Sequence, residues 1–156
     1  MNPDGTLCLE SPINLLGKLS AKPDLLQFAE SCLIPYLYCV SHKLKNGGKF
    51  LFGELAHGPK GILDDYKQLW GLQSPEQVWM VLNAMKSHKR EANKMLCPCG
   101  CGKRLGVCSY NRYLARLRKI APRNYYKKQL DQVTPYFPQS TLKKLKKYSK
   151  RVQVIE

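Results

Sequence analysis

The sequence predicts a mostly α-helical protein, on three observations. Apolar residues recur at helical spacing in several segments, and prolines or capping residues stand where those segments begin. Alternation of apolar and polar residues, which would indicate strands, is scarce along the chain. Hydrophobic residues make up 44% of the 156-residue chain, so a packed core is expected.

The first half contains three predicted helices. Ser11 and Pro12 begin a short one, because serine caps a helix and proline fits its first turn. Residues 24–44 hold the densest apolar pattern, in which Pro35 is expected to kink or split the helix. A third, short helix is predicted over residues 62–70.

The second half contains the clearest helix, over residues 74–95. Ser74 is the expected N-cap, and Gln77 three residues later completes a capping box. Residues 111–121 and the basic segment 140–152 are also expected to be helical, since each carries an apolar stripe.

Positive charge is concentrated in the second half of the chain. Residues 1–85 carry seven Lys/Arg and eight Asp/Glu, whereas residues 86–156 carry nineteen and three. Such an excess favours a nucleic acid or an acidic protein as partner, although an ordinary solvated surface would also contain these residues. Tyrosines interleaved with the basic residues would stack on unpaired bases: Tyr110, Tyr113, Tyr125 and Tyr126. The candidate nucleic-acid-binding residues are Arg112, Arg116, Lys119, Arg123, Lys143, Lys144 and Lys147.

Targeting and membrane signals are missing from the sequence. No apolar run approaches the roughly 20 residues of a membrane span. The first ten residues, "MNPDGTLCLE", contain no basic region followed by an apolar core, which a signal peptide would show. We therefore predict a cytoplasmic protein without a membrane partner.

Four of the seven cysteines fall in "CPCGCGKRLGVC", residues 97–108. In a reducing compartment, clustered cysteines are more often metal ligands than disulfides, and zinc accepts four thiolates in a tetrahedron. Free thiols and disulfides are the alternatives. In contrast, Cys32 and Cys39 are seven residues apart on an apolar helix and are expected to pack in the core.

The cysteine segment resembles the SEC-C motif, a small zinc module found at the ends of many bacterial proteins. The motif's last ligand is a Cys or His directly after its third cysteine, where this chain has Ser109. Cys101 is therefore the expected fourth ligand, with His88 as the weaker candidate. The resemblance implies a structural zinc ion and an adaptor role towards proteins or nucleic acid, without catalysis. The motif's other ligands correspond to Cys97, Cys99 and Cys108.

A second resemblance concerns "NPDGTLCLESP", residues 2–12, which is similar to the active-site segment of ubiquitin-conjugating enzymes. It implies that Cys8 forms a thioester with a ubiquitin-like protein supplied by an activating enzyme, and that Asn2 stabilises the oxyanion. The later helical sequence looks like bacterial members of that fold with a SEC-C tail, which are associated with ubiquitin-like modification or antiphage operons. The matching residues are Asn2, Gly5, Cys8, Glu10, Ser11 and Pro12.

These observations give two functional hypotheses. The first is a zinc-binding SEC-C protein related to bacterial ubiquitin-conjugating enzymes and acting through Cys8. The second is a non-enzymatic zinc-binding adaptor whose basic half binds nucleic acid or an acidic protein. The predicted segments are an N-terminally truncated, ubiquitin-conjugating-like helical part (1–72), a connecting helix (73–95), the zinc module (96–110) and a basic helical tail (111–156).

Overall fold

The fold was analysed in a computed structural model that describes residues 7, 9–21, 23–48 and 58–149. These residues are mostly helical, and their β-structure is confined to one isolated bridge between Leu96 and Arg104. The predicted α class is therefore confirmed. The chain divides into two compact units, Met1–Ala56 and His57–Glu156. No helix in the described ranges is both long enough and apolar enough to cross a bilayer.

In the first unit, the first helix, α1 (Pro12–Ala21), begins at Pro12, as predicted. The Asp24 carboxylate then caps the next helix by accepting the backbone N–H of Leu26 at 3.0 Å. The helix Ile34–Asn46 is ended by Gly47, whose φ of +57° is the left-handed conformation that glycine adopts without strain. The helices of this unit are α1 (Pro12–Ala21), α2 (Leu25–Phe28) and α3 (Ile34–Asn46).

A single π-helical turn, Ala29–Leu33, joins α2 to α3 without a break. Pro35 lies in the first turn of α3, and because proline has no backbone N–H, regular α-helical bonding is interrupted next to it. Where a kink or a split was predicted at Pro35, the structure shows a π-helical turn within a continuous helical stretch. Cys32 and Cys39 are both buried, as expected from their position on the apolar helix.

The second unit is built around α5 (Pro75–Lys86), which packs against α8 (Arg123–Val133) and α4 (Gly58–Leu69). Val78, Leu82 and Met85 of α5 are fully buried. The capping box is confirmed: the Ser74 hydroxyl accepts the N–H of Gln77 at 3.4 Å, and the Gln77 side chain accepts the N–H of Ser74 at 3.1 Å. The helices are α4 (Gly58–Leu69), α5 (Pro75–Lys86), α6 (Lys89–Ala92), α7 (Tyr110–Ile120), α8 (Arg123–Val133) and α9 (Gln139–Tyr148).

The structure differs from the sequence prediction in two helices. The helix predicted over 74–95 ends at Lys86, because Ser87 adopts an extended backbone and its hydroxyl bonds the carbonyl of Asn83 at 2.9 Å. Helix α8 was not predicted, since Pro122 indicates the end of α7 and the polar sequence after it has a weak apolar stripe. In addition, α4 packs with the second unit, whereas the predicted first segment extends to residue 72.

Candidate metal centre and basic surface

The four clustered cysteines lie on a short hairpin between α6 and α7. The N–H of Cys97 donates to the carbonyl of Lys103 at 2.8 Å, and the N–H of Leu105 donates to the carbonyl of Met95 at 2.9 Å. These bonds flank the Leu96–Arg104 bridge and bring the two ends of the cysteine segment together. The hairpin therefore forms the local frame on which the thiols are arranged.

The four thiols converge at the tip of this hairpin and the loop that follows it. All four sulfur atoms lie within 4.8 Å of one another. The Sγ atom of Cys108 is 3.7 Å from that of Cys99 and 3.7 Å from that of Cys101, and Cys97 and Cys99 are 3.2 Å apart. Each distance is far longer than the roughly 2.0 Å of a disulfide bond. The four residues are therefore close but unbonded.

This arrangement fits a tetrathiolate zinc site. Zinc–sulfur bonds near 2.3 Å in a tetrahedron place neighbouring sulfur atoms about 3.8 Å apart. The two 3.7 Å separations involving Cys108 match that spacing, and 3.2 Å between Cys97 and Cys99 is slightly shorter. The residues present are thus compatible with zinc, and Cys101 belongs to the set.

Backbone N–H groups two residues downstream donate to three of the sulfur atoms. Cys99 donates to Cys97, Cys101 to Cys99 and Lys103 to Cys101. The bond from Lys103 lowers the pKa of the exposed Cys101 thiol to about 7, whereas burial raises the pKa of the Cys97 and Cys99 thiols. Such N–H···S bonds stabilise thiolates, which are the ligand form of cysteine.

Glycine and asparagine residues hold the loop in place. The N–H of Gly106 donates to the carbonyl of Asn93 at 3.0 Å, and a Cβ atom at position 106 would lie only 2.9 Å from that oxygen. The side chain of Asn111 donates to the side chain of Asn93 at 3.2 Å. This contact ties the start of α7 to the residues after α6. Neither Asn93 nor Asn111 was predicted from sequence.

The alternative ligand predicted from sequence lies outside the cluster. His88 is exposed at the start of α6 and is not among the residues whose ligand atoms converge. Ser109 is also exposed, directly before α7. Of the two candidates for the fourth position, the geometry therefore favours Cys101 over His88.

The seven basic candidates are all exposed on the second unit. None of them forms an ion pair with an acidic residue in the described part of the chain. They lie on three helices: Arg112, Arg116 and Lys119 on α7, Arg123 on α8, and Lys143, Lys144 and Lys147 on α9. Their charges are therefore available to a ligand.

Other residues of the basic half stabilise the fold. The guanidinium of Arg118 donates to the carbonyls of Ala84, Met85 and Ser87 at 2.8, 3.3 and 3.2 Å, so it caps the end of α5. Burial lowers the pKa of this guanidinium. Arg118 therefore has a structural role, although it is surrounded in sequence by exposed basic residues.

The expected stacking by four tyrosines is not supported by their positions. Tyr110 and Tyr113 donate to the carbonyls of Trp70 and Leu69, each at 3.1 Å, at the end of α4. Tyr126 is buried, and its hydroxyl donates to the carbonyl of Leu117 at 2.5 Å. Tyr125 is half-buried, and its hydroxyl lies 3.4 Å from the hydroxyl of Tyr66. All four hydroxyls bond within the unit, and Tyr126 is buried while the other three rings are half-buried.

A shallow groove of about 450 Å³ runs beside the cysteine loop. Arg112 and Lys89 both line it, together with Ser109. Lys89 begins α6, because the helix predicted over residues 74–95 ends at Lys86. Lys89 is therefore a basic residue beside the groove that was not among the seven predicted nucleic-acid-binding residues.

The predicted catalytic pair, Cys8 and Asn2, lies outside the described residues. Comparison of the chain with family models, curated proteins and solved structures finds no match.

Proposed function

We propose that this chain is a zinc-binding adaptor whose basic helices α7–α9 bind nucleic acid. The metal part is supported by the convergence of four sulfur atoms at tetrahedral spacing. A zinc ion held by Cys97, Cys99, Cys101 and Cys108 would stabilise the loop between α6 and α7 and has no reactive part in this proposal.

One observation carries the nucleic-acid part of the proposal: seven basic side chains are exposed and form no ion pairs within the described residues. Exposed Lys and Arg attract phosphates regardless of base sequence, and the released counterions make binding weaken steeply with salt. The inward position of the tyrosines favours contact with the phosphate backbone over stacking on unpaired bases. We therefore propose duplex DNA or RNA as the ligand, bound without sequence preference.

The test is fluorescence anisotropy with a labelled 20-base-pair duplex at several salt concentrations. The wild type is expected to bind, with log K falling linearly against log salt. The double variant K143E/K144E should lose at least about tenfold in affinity at low salt. Its matched control is K60E/K67E, which changes the net charge equally on α4.

The controls separate the proposal from simpler explanations. If K60E/K67E lowers affinity as much as K143E/K144E, net charge alone explains binding and the α9 surface is not the site. If poly-glutamate competes as well as the duplex does at equal charge, an acidic protein replaces nucleic acid as the partner. One bound zinc per chain in the wild type tests the metal part separately.

We infer a second candidate function from the sequence resemblance of residues 2–12. Here Cys8 would receive a ubiquitin-like protein by transthiolation: its thiolate attacks the thioester carbonyl on the activating enzyme, whose thiolate leaves. Asn2 would then donate to the oxyanion formed when a lysine amine attacks the Cys8 thioester. The support for this candidate is the order of residues in the segment.

Its test uses the full chain with a ubiquitin-like protein, an activating enzyme and ATP. A band on non-reducing gels that disappears with reductant and in Cys8→Ser supports the thioester. An unchanged gel pattern in Cys8→Ser excludes it. Asn2→Ala should keep the adduct and slow its discharge to lysine, which distinguishes oxyanion stabilisation from a role in charging.

A further inference from the structure

Helices α2 and α3 expose a continuous apolar face. Ile34, Leu37 and Leu44 are 57%, 50% and 79% exposed, and their spacing places them along one stripe. Leu26, which precedes the π-helical turn, is 65% exposed, and Tyr38, at the edge of the stripe, is 61% exposed. The buried cysteines Cys32 and Cys39 lie on the opposite side of the same helix.

The size of this face is informative. Its five apolar side chains expose on the order of 500 Å² in one copy, in the range where a patch on a soluble protein usually marks an interaction site. Two such faces packed together would bury about 1,000 Å², which is the lower limit for a specific interface. The face is therefore large enough for a weak pair of identical helices.

The charges on the helix favour an antiparallel pair. Glu30 lies in the π turn and Lys45 in the last turn of α3; both are exposed, and neither forms an ion pair in the described part of the chain. In an antiparallel two-fold pair, the same edge of each helix meets its counterpart. The Glu30 of each copy would then lie opposite the Lys45 of the other copy. The two-fold axis would pass near Leu37 and Tyr38.

We propose that residues 25–46 form the interface of a homodimer, in which the exposed faces of two copies pack antiparallel. The apolar stripe supplies the buried area, and the two Glu30–Lys45 pairs set the direction and register. A parallel two-fold pair would bring opposite edges of the two helices together, so the Glu30–Lys45 pairs would not form. The proposal is independent of what the basic surface binds.

Sedimentation velocity of the full chain, in reductant and over a concentration series, tests the proposal. The wild type is expected to dimerise with a dissociation constant in the micromolar range. Leu37→Glu should raise that constant at least about tenfold, because it places two charges beside the axis. Val107→Glu is the matched control: Val107 is 68% exposed on the second unit and its variant should dimerise normally. Circular dichroism verifies that each variant is folded.

Charge exchange tests the direction of the pair. E30K and K45E should each weaken the dimer several-fold, and the double variant E30K/K45E should restore wild-type affinity, because both cross-pairs are re-formed with reversed sign. A wild-type chain that stays monomeric at 100 µM overturns the proposal, as does a dimer that Leu37→Glu leaves intact. Failure of the double variant to restore affinity overturns the antiparallel register. A monomer that floats with anionic vesicles assigns the face to a membrane surface instead.

Discussion

The cysteine loop and the basic helices α7–α9 are each dense in one kind of residue, but the structure arranges the two sets differently. All four cysteines of residues 97–108 converge within 4.8 Å. On α7, in contrast, Arg116 is exposed while Arg118 bonds three backbone carbonyls. A tight loop can bring each of its cysteines to one point, whereas a helix turns successive residues by about 100° and so divides them between solvent and core.

The variant with the largest expected effect tests whether the stability of the cysteine loop depends on its four clustered thiols. Cys97→Ser removes the most buried of the four clustered sulfur atoms. We expect bound zinc to fall from one per chain to near zero, and the free energy of unfolding measured with zinc present to fall by more than about 3 kcal/mol. Metal analysis and chemical denaturation measure the two quantities.

Cys39→Ala is the control for Cys97→Ser, because Cys39 is also buried but lies on α3 away from the cluster. It should keep one zinc per chain. A Cys97→Ser protein that retains both metal and stability would show that the loop is held by its hydrogen bonds alone.

The cysteine site was largely predictable from sequence because its geometry is local. Twelve residues contain all four thiols, and the backbone bonds that frame them lie within residues 93–108. The role of Arg118 was not predictable, since its three acceptors are more than thirty residues away in sequence. Helix class and caps are likewise local, which is why the cap at Ser74 was predicted correctly while the extended Ser87 was not.

The second prediction compares two arginines of one helix. Arg118→Met should reduce the free energy of unfolding by about 2 kcal/mol, because three carbonyls at the end of α5 lose a charged donor. Arg116→Met should change it by less than about 0.5 kcal/mol. Denaturant unfolding measures both variants.

The same two variants should have the opposite order of effect on nucleic-acid binding, with Arg116→Met losing more than Arg118→Met. If Arg116 contacts a phosphate, its loss reduces the salt slope by about 1, whereas folded Arg118→Met keeps the wild-type slope. Equal stability losses in the two variants would contradict the structural assignment of Arg118.

The third prediction concerns the close backbone approach at Gly106. In Gly106→Ala, the new methyl group would lie 2.9 Å from the carbonyl oxygen of Asn93, so the loop must shift. We expect a loss of about 1–2 kcal/mol in the free energy of unfolding and weaker zinc retention against a chelator. Gly48→Ala is the control, because its nearest neighbour would be 3.7 Å away. If both variants behave like the wild type, the loop tolerates displacement and the thiols do not depend on this contact.

The smallest expected effect tests the inward position of the tyrosines. Tyr110→Phe removes the hydroxyl that donates to the carbonyl of Trp70, so the free energy of unfolding should fall by about 1 kcal/mol while duplex affinity stays unchanged. Tyr148→Phe, on a ring that is 46% exposed, should alter stability by less than about 0.5 kcal/mol. Phenylalanine stacks on bases as well as tyrosine does, so Tyr110→Leu is the decisive second variant. If a folded Tyr110→Leu protein binds single-stranded RNA more weakly than the wild type, Tyr110 stacks on bases. In that case it is wrong to assign ligand binding to the basic residues and only fold stability to the tyrosines.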